Sequence, residues 1–399
     1  MSGVRDIAVI GSGAAGLMAA ISASQAKDCV LITDGPVGRS NSMMAQGGLQ
    51  LPFPTEESQQ KFLDDIIRSA RTELDTALVR SFVAHVARTV ECLESWGLEL
   101  DRDPHGTLVR RTAGGLSEPR IVSVRDQIGP AIIKVLRARL QQCDVEIMPH
   151  TCVADVQPKG RSFLLALQSE SGERAELCAR AVVCCSGGIT YREAQHRGQR
   201  TTNPANDNHL LFDVLCHLGL TQVHRDYFQY QPFGIVTPAP TAVGKCVPES
   251  IVNFDVRILD RFGAPIGEIR QDRYALTRLM FDLADAGKGV RVEDGSVGFW
   301  LTLGDLDPAV LAATFPKVHQ YLERHNLIGQ NILVFPFLHY YLGGLKITPQ
   351  CASDVPGLFL AGELTGGLHG RNRLMGNGIT DSLVHGRIAG QSACAYVAG

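Results

Sequence analysis

The chain has 399 residues, 45% of them apolar and 20% charged, which excludes intrinsic disorder and, at about 150 residues per domain, suggests two or three structural units. A formal net charge of −3 excludes the broad basic footprint of a nucleic-acid or membrane-surface binder. No run approaches the ~20 apolar residues of a bilayer span, and residues 5–10 already read as strand, which leaves no room for a signal peptide, so a cytoplasmic location is expected. The eleven cysteines are scattered, with no Cys-x-x-Cys. That pattern argues against a cluster or structural zinc; no metal is expected, and the thiols are expected to be buried and reduced.

In chain order, the apolar run 5–10 leads into Gly11-Ser12-Gly13-Ala14-Ala15-Gly16, a helical stretch from Leu17 to about Gln25, and a second apolar run, Cys29 to Ile32. Strand, glycine turn, helix and strand are the opening unit of a doubly wound fold. Gly11 allows the tight turn, Gly13 lets the backbone approach a pyrophosphate, and Gly16 permits close helix–strand packing. The helix N-terminus then faces the phosphates. The polar segment 35–48 ends in Gly47-Gly48 and suggests a loop pressed on a flat ligand. Residues 56–103 read as helical, 120–150 as a helix and the short strand Val145 to Met148, and 151–185 as a small antiparallel sheet running into Ser186-Gly187-Gly188. Residues 233–338, with Pro238, Pro240 and Pro248 and a charged helix around 271–286, lack the βαβ rhythm and read as an inserted domain. Strand 357–361 then returns to glycine-rich loops over 362–378.

Six ordered motifs carry a resemblance: Ala45-Gln46-Gly47-Gly48, Ser186-Gly187-Gly188, Thr202-Asn203-Pro204, His339-Tyr340-Tyr341-Leu342-Gly343-Gly344, Ala361-Gly362-Glu363 and His369-Gly370-Arg371-Asn372-Arg373-Leu374. Together they resemble the flavoprotein family of fumarate reductase, succinate dehydrogenase and L-aspartate oxidase, over residues 5–390. The resemblance implies an α/β fold: a Rossmann-like, GR2-type FAD-binding domain over 1–232 plus 339–399, and an α+β capping domain over 233–338. The family's C-terminal helical domain is expected to be absent. It implies FAD held by Gly11, Gly13, Ala14, Ala15 and Gly16 at the pyrophosphate, by Thr33 at the ribose, by Ser42, Ala45, Gln46, Gly47 and Gly48 along the isoalloxazine, and by Glu363 at the ribitol. Val153, Ser186, Gly187, Gly188, Asp207, Gly362, Arg373, Asn377, Gly378 and Ile379 complete the implied cofactor set. Membrane-bound members attach FAD through a histidine where this chain has Asn41, so noncovalent FAD is expected.

The resemblance also implies hydride transfer between flavin N5 and a carbon of a small dicarboxylate. Arg373 and His339 would clamp the substrate, since a guanidinium fork matches a carboxylate. Arg273, in Gln271-Asp272-Arg273-Tyr274-Ala275-Leu276-Thr277-Arg278, falls on the proton-donating arginine, and Glu249 on the carboxylate paired with it. Three departures weaken the polar pocket: Gln231 and Phe233 replace a histidine and a threonine, Pro248 replaces a threonine, and Leu116 replaces a histidine. They suggest a substrate with a less polar distal group. The alternatives are an L-aspartate oxidase-like reaction and a non-catalytic flavin-binding subunit. No second nucleotide fold is visible, so electrons are expected from a partner protein or free reduced flavin.

Overall fold

A computed structural model describes residues 4–24, 28–237 and 245–399; Gln25, Pro238 and Pro240 lie outside them. Strand Arg5–Ile10 is buried from Ile7 to Ile10, as a central parallel strand covered on both faces requires. It pairs in parallel with Cys29–Ile32 on one side and with the end of Arg174–Cys184 on the other. Val145–Met148 extends the sheet beyond Cys29–Ile32, and Leu358–Leu360 pairs with Val182–Cys184. The first half of Arg174–Cys184 instead pairs antiparallel with Ser162–Ser169, which pairs antiparallel with Thr151–Lys159. One long strand thus serves both the parallel sheet and the antiparallel flap expected over 151–185.

The register aligns Ile10, Ile32, Met148, Cys184 and Leu360. Five chain segments therefore leave the sheet at one carboxyl edge, where ligands bind in open α/β sheets. Helix Ala14–Ala23, buried throughout, packs on the C-terminal helix Asn377–Ala398; Gly386 and Gly390 of the latter lie directly against the backbone of Ala15 and Ala19.

The helical region 56–103 is two helices, Glu56–Ala70 and Thr76–Ser95, each capped by a side chain, Thr55 and Asp75. Arg71 breaks them with a φ of 54°.

A second, antiparallel sheet holds Phe228–Ile235, Ile332–Tyr341, Val297–Leu301 and Ile258–Leu259. Buried apolar residues form one large cluster drawn from residues 7–220 and 341–397 and a second from 233–334. The strands Phe228–Ile235 and Ile332–Tyr341 run from one cluster into the other, so residues 232/233 and 338/339 fall inside paired strands. Thirteen-residue helix Arg273–Asp285 packs on this second sheet, with Asp272 as its N-cap accepting from Ala275 N.

Candidate active site

At the carboxyl edge, Gly11 has a φ of +98°, and a side chain there would overlap the carbonyl of Cys185. A side chain on Gly16 would overlap the carbonyl of Gly11. The turn therefore holds its shape only with glycine at both places. Ala14 N donates to Ser42 Oγ at 3.1 Å, which ties the loop 41–44 to the start of the first helix. Thr33 is buried and shares a 2.8 Å hydrogen bond with Ser12 Oγ, which also accepts from Gly38 N at 3.0 Å. Its hydroxyl thus braces the glycine turn, and the exposed carboxylate next to it belongs to Asp34.

Val153 lies in the strand that starts at Thr151, whose N–H bonds Thr33 O at 2.9 Å. Asp207 precedes helix Asn208–His217, and Asn208 lies against Gly187. Glu363, partly buried, accepts at Oε1 from Tyr341 N and Thr190 Oγ1, both at 2.9 Å, and burial raises its carboxyl above the usual range. Gly188 lies against Glu363, Gly47 against Met375, and Gly48 against Val122. Asn41 donates to Asn203 Oδ1, and Asn203 Nδ2 donates to His339 O at 2.8 Å. Ser186 Oγ and both side-chain polar atoms of Asn377 are buried without a protein partner. Gly378 and Ile379 follow in the first turn of the last helix, whose N-terminal dipole end is positive. Orphaned donors and acceptors, a bare glycine turn and two helix N-termini on one edge fit a dinucleotide carrying a flat polar ring.

The chemical end is built from four distant segments. Arg273 opens the cap helix and is 7% exposed, as is its partner Glu249. Its Nε and Nη2 approach Glu249 Oε2 at 2.7 and 2.6 Å, and its Nη1 donates to Gln229 Oε1 at 3.0 Å. Gln229 Nε2 in turn donates to Arg373 O at 2.9 Å and to Asn372 Oδ1 at 3.2 Å. Arg373 is buried, sits 4.4 Å over the ring of Tyr340, and has no carboxylate within 4.0 Å among the described residues. Its Nε has no partner, and burial together with Arg273 lowers its guanidinium to about 10. His339 is partly buried, with Nδ1 2.6 Å from Thr202 Oγ1. Burial and the charges of Arg273 and Arg373 hold its imidazole well below the ordinary histidine range, so it is neutral at pH 7.

All four residues expected at the chemical end, Arg273, Glu249, His339 and Arg373, converge. Gln229 and Thr202 were not among the expected site residues; the signal for Gln229 was an amide at a buried position of an apolar strand, which needs a partner. Arg371 instead lies exposed over the ring of Tyr227 at 4.2 Å. Phe233 is fully buried in the second core, and Gln231 spends its amide on Val247 O and Phe233 N. Leu116 packs against the first core. Of the thiols expected to be buried, only Cys29, Cys184, Cys185 and Cys351 are; Cys152 is exposed and the others are half-buried.

The FAD binding domain model matches residues 6–379. The chain belongs to that family. It is 28% identical to a component of the CoM/CoB fumarate reductase of Methanothermobacter marburgensis, over 97% of this chain and 72% of that protein. It is 26% identical to L-aspartate oxidase of Synechocystis, over 95% of this chain and 69% of that one. The fold superposes on Escherichia coli quinol fumarate reductase with a TM-score of 0.88 at 22% identity, covering 99% of this chain and 71% of that one. As a member of the FAD binding domain family with such relatives, the protein is an FAD-dependent oxidoreductase. Among the described residues no helix is long and apolar enough to cross a membrane.

Proposed function

We propose that this oxidoreductase interconverts a C=C and a CH–CH bond beside a carboxylate. The observation that supports this best is one buried hydrogen-bonded chain, Glu249–Arg273–Gln229–Arg373, which sets a paired arginine beside an unpaired one. FAD, held noncovalently by the residues of the carboxyl edge, supplies two-electron transfer as a hydride when bound.

In the reducing direction Arg373 takes the substrate carboxylate, because a buried guanidinium without a counter-ion is stabilised by an anion. His339, neutral and oriented by Thr202, hydrogen-bonds the same carboxylate. Both stabilise the negative charge that develops on it and on the α carbon as the β carbon is reduced. Arg273 delivers the proton to the α carbon, and Glu249, in contact at Oε2 with Arg273 Nε and Nη2, passes back to it a replacement proton taken up from solvent. Two electrons and two protons are consumed in all. Residues 1–232 and 339–399 would form the FAD domain and 233–338 the cap, and a protein electron carrier would renew the reduced cofactor in the cytoplasm.

The test is anaerobic reduction of the flavin followed by mixing with unsaturated carboxylates. Flavin reoxidation, lost in Arg273→Gln, is the expected result. Bleaching of the oxidised enzyme by L-aspartate in its place would replace the reading with an amino-acid oxidase. Full FAD occupancy with no response to either class would leave a flavin-binding subunit.

A further inference from the structure

We propose that the acid on which this enzyme acts carries a single carboxylate, with an uncharged group at the far end of its double bond. This rests on the reaction class above and deepens it. The argument is a count of charges in the site. Arg273 is neutralised where it stands: two of its nitrogens share Glu249 Oε2 and the third is taken by Gln229 Oε1. His339 contributes a hydrogen bond, through a ring held by Thr202, and no charge. Among the described residues Arg373 remains without a carboxylate, buried over the ring of Tyr340, with Nε unpartnered and a 3.4 Å contact from Nη1 to Leu374 O.

The neighbouring charges do not alter the count. Glu363 lies beyond 4.0 Å from any cation among the described residues, with Oε1 bound to Tyr341 N and Thr190 Oγ1. Asp381 is shared by His369 and His385. Lys245 and Lys317 act on the Cys246 thiol and are not among the largest charges on Arg373, and Lys317 is drawn by Asp126, which accepts from its backbone N at 2.9 Å.

On the cap side Lys245 is exposed and Lys317 half-buried, and the polar side chains that lie between them and the arginines are uncharged. Cys246 Sγ contacts Gln46 Oε1 at 3.6 Å, and Gln231 is spent on backbone at both ends, with Nε2 on Val247 O at 3.2 Å and Oε1 on Phe233 N at 3.0 Å. Among the described residues Arg373 is the one fully buried cation of the site without a carboxylate partner, so a second carboxylate would enter with no buried cation of its own. An unpaired buried carboxylate is penalised heavily. A monoanion matches the site, and an ester, amide or alkyl group suits the distal end.

Fumarate and its monomethyl ester share a carbon skeleton and differ by one charge, as do succinate and monomethyl succinate. The oxidised holoenzyme is titrated with the two saturated ligands at pH 7.5, reading the shift of the flavin absorbance band. The anaerobically reduced holoenzyme is mixed with the two unsaturated ones. We expect at least tenfold tighter binding of the succinate monoester, and at least tenfold faster reoxidation per unit concentration by the fumarate monoester. Glu249→Gln keeps the shape of the pair and frees the charge of Arg273, so it should move the binding ratio at least tenfold toward succinate, whatever it does to turnover.

Succinate binding as tightly as its monoester, no spectral response to either ligand, or an unchanged ratio in Glu249→Gln would each overturn the charge assignment. If the binding preference holds but neither fumarate, its monoester nor trans-2-butenoate reoxidises the flavin, the reaction class falls and the single-carboxylate assignment stands.

Discussion

The two ends of the site are made in different ways. The cofactor edge is a backbone construction: Gly11, Gly13 and Gly16 are neighbours in sequence, and their arrangement follows from strand, turn and helix sterics. The chemical end is a side-chain construction, in which Gln229, Glu249, Arg273 and Arg373 meet across as many as 144 residues of chain. A backbone site tolerates few substitutions but is written locally. A side-chain site depends on every long-range contact that brings its members together.

The largest effect that would separate these regions is at Gly11. Gly11→Ala places a side chain at a φ of +98° against the Cys185 carbonyl. It should cost about 3 kcal/mol or more of stability and abolish FAD retention, read by thermal unfolding and by the flavin-to-protein absorbance ratio. A variant with full FAD content would break the contrast.

Arg273→Gln should leave flavin content near the parent while lowering kcat by about 10²–10⁴-fold, the usual range for a lost proton donor, and should lower stability by about 3 kcal/mol because Glu249 stays buried without its counter-ion. A proportionate loss of flavin would show that the two ends are not separable.

Arg373→Met removes a charge-assisted partner worth about 1.5–3 kcal/mol. It should therefore raise KM by roughly 10–100-fold and, because Arg373 also stabilises the developing charge, lower kcat as well. A change confined to kcat would reassign Arg373.

The smallest effect is a pH dependence. The folded pKa of His339 lies below its unfolded value of about 6.5. The unfolded state therefore binds the proton more readily, and stability falls as pH drops from that value toward the folded pKa, with no contribution above it. His339→Gln should flatten that part of the stability-against-pH curve, measured by denaturant titration between pH 5 and 8. An unchanged slope would mean that His339 titrates normally.

Much of this molecule was legible before folding was considered. The alternation of apolar runs with glycine turns announces the parallel sheet, because strands buried on both faces must be continuously apolar and turns that meet a backbone must lack a side chain. The motif order located His339 and Arg373, and the family resemblance added Arg273 and Glu249; the fold brings the four together. The role of Thr33 was legible only in part: its position at the end of its strand followed from the pattern, but its pairing with Ser12 depends on a turn that folds back over it. The boundaries drawn at 232/233 and 338/339 fall inside Phe228–Ile235 and Ile332–Tyr341, since composition marks where a rhythm changes and not where a strand continues from one core to the next.

The sequence by itself determined the nucleotide-binding turn, the order of the parallel strands' segments and the residue types available for the chemistry. Local sterics and hydrophobic period act within a dozen residues and leave a written pattern. Only the tertiary structure decided that Arg273 is neutralised by Glu249, that Gln229 joins it to the turn carrying Arg373, that Gln231 binds backbone, and that Arg373 has no counter-ion among the described residues. Those facts depend on which desolvated groups meet across the fold, and desolvation and pairing are properties of the packed chain.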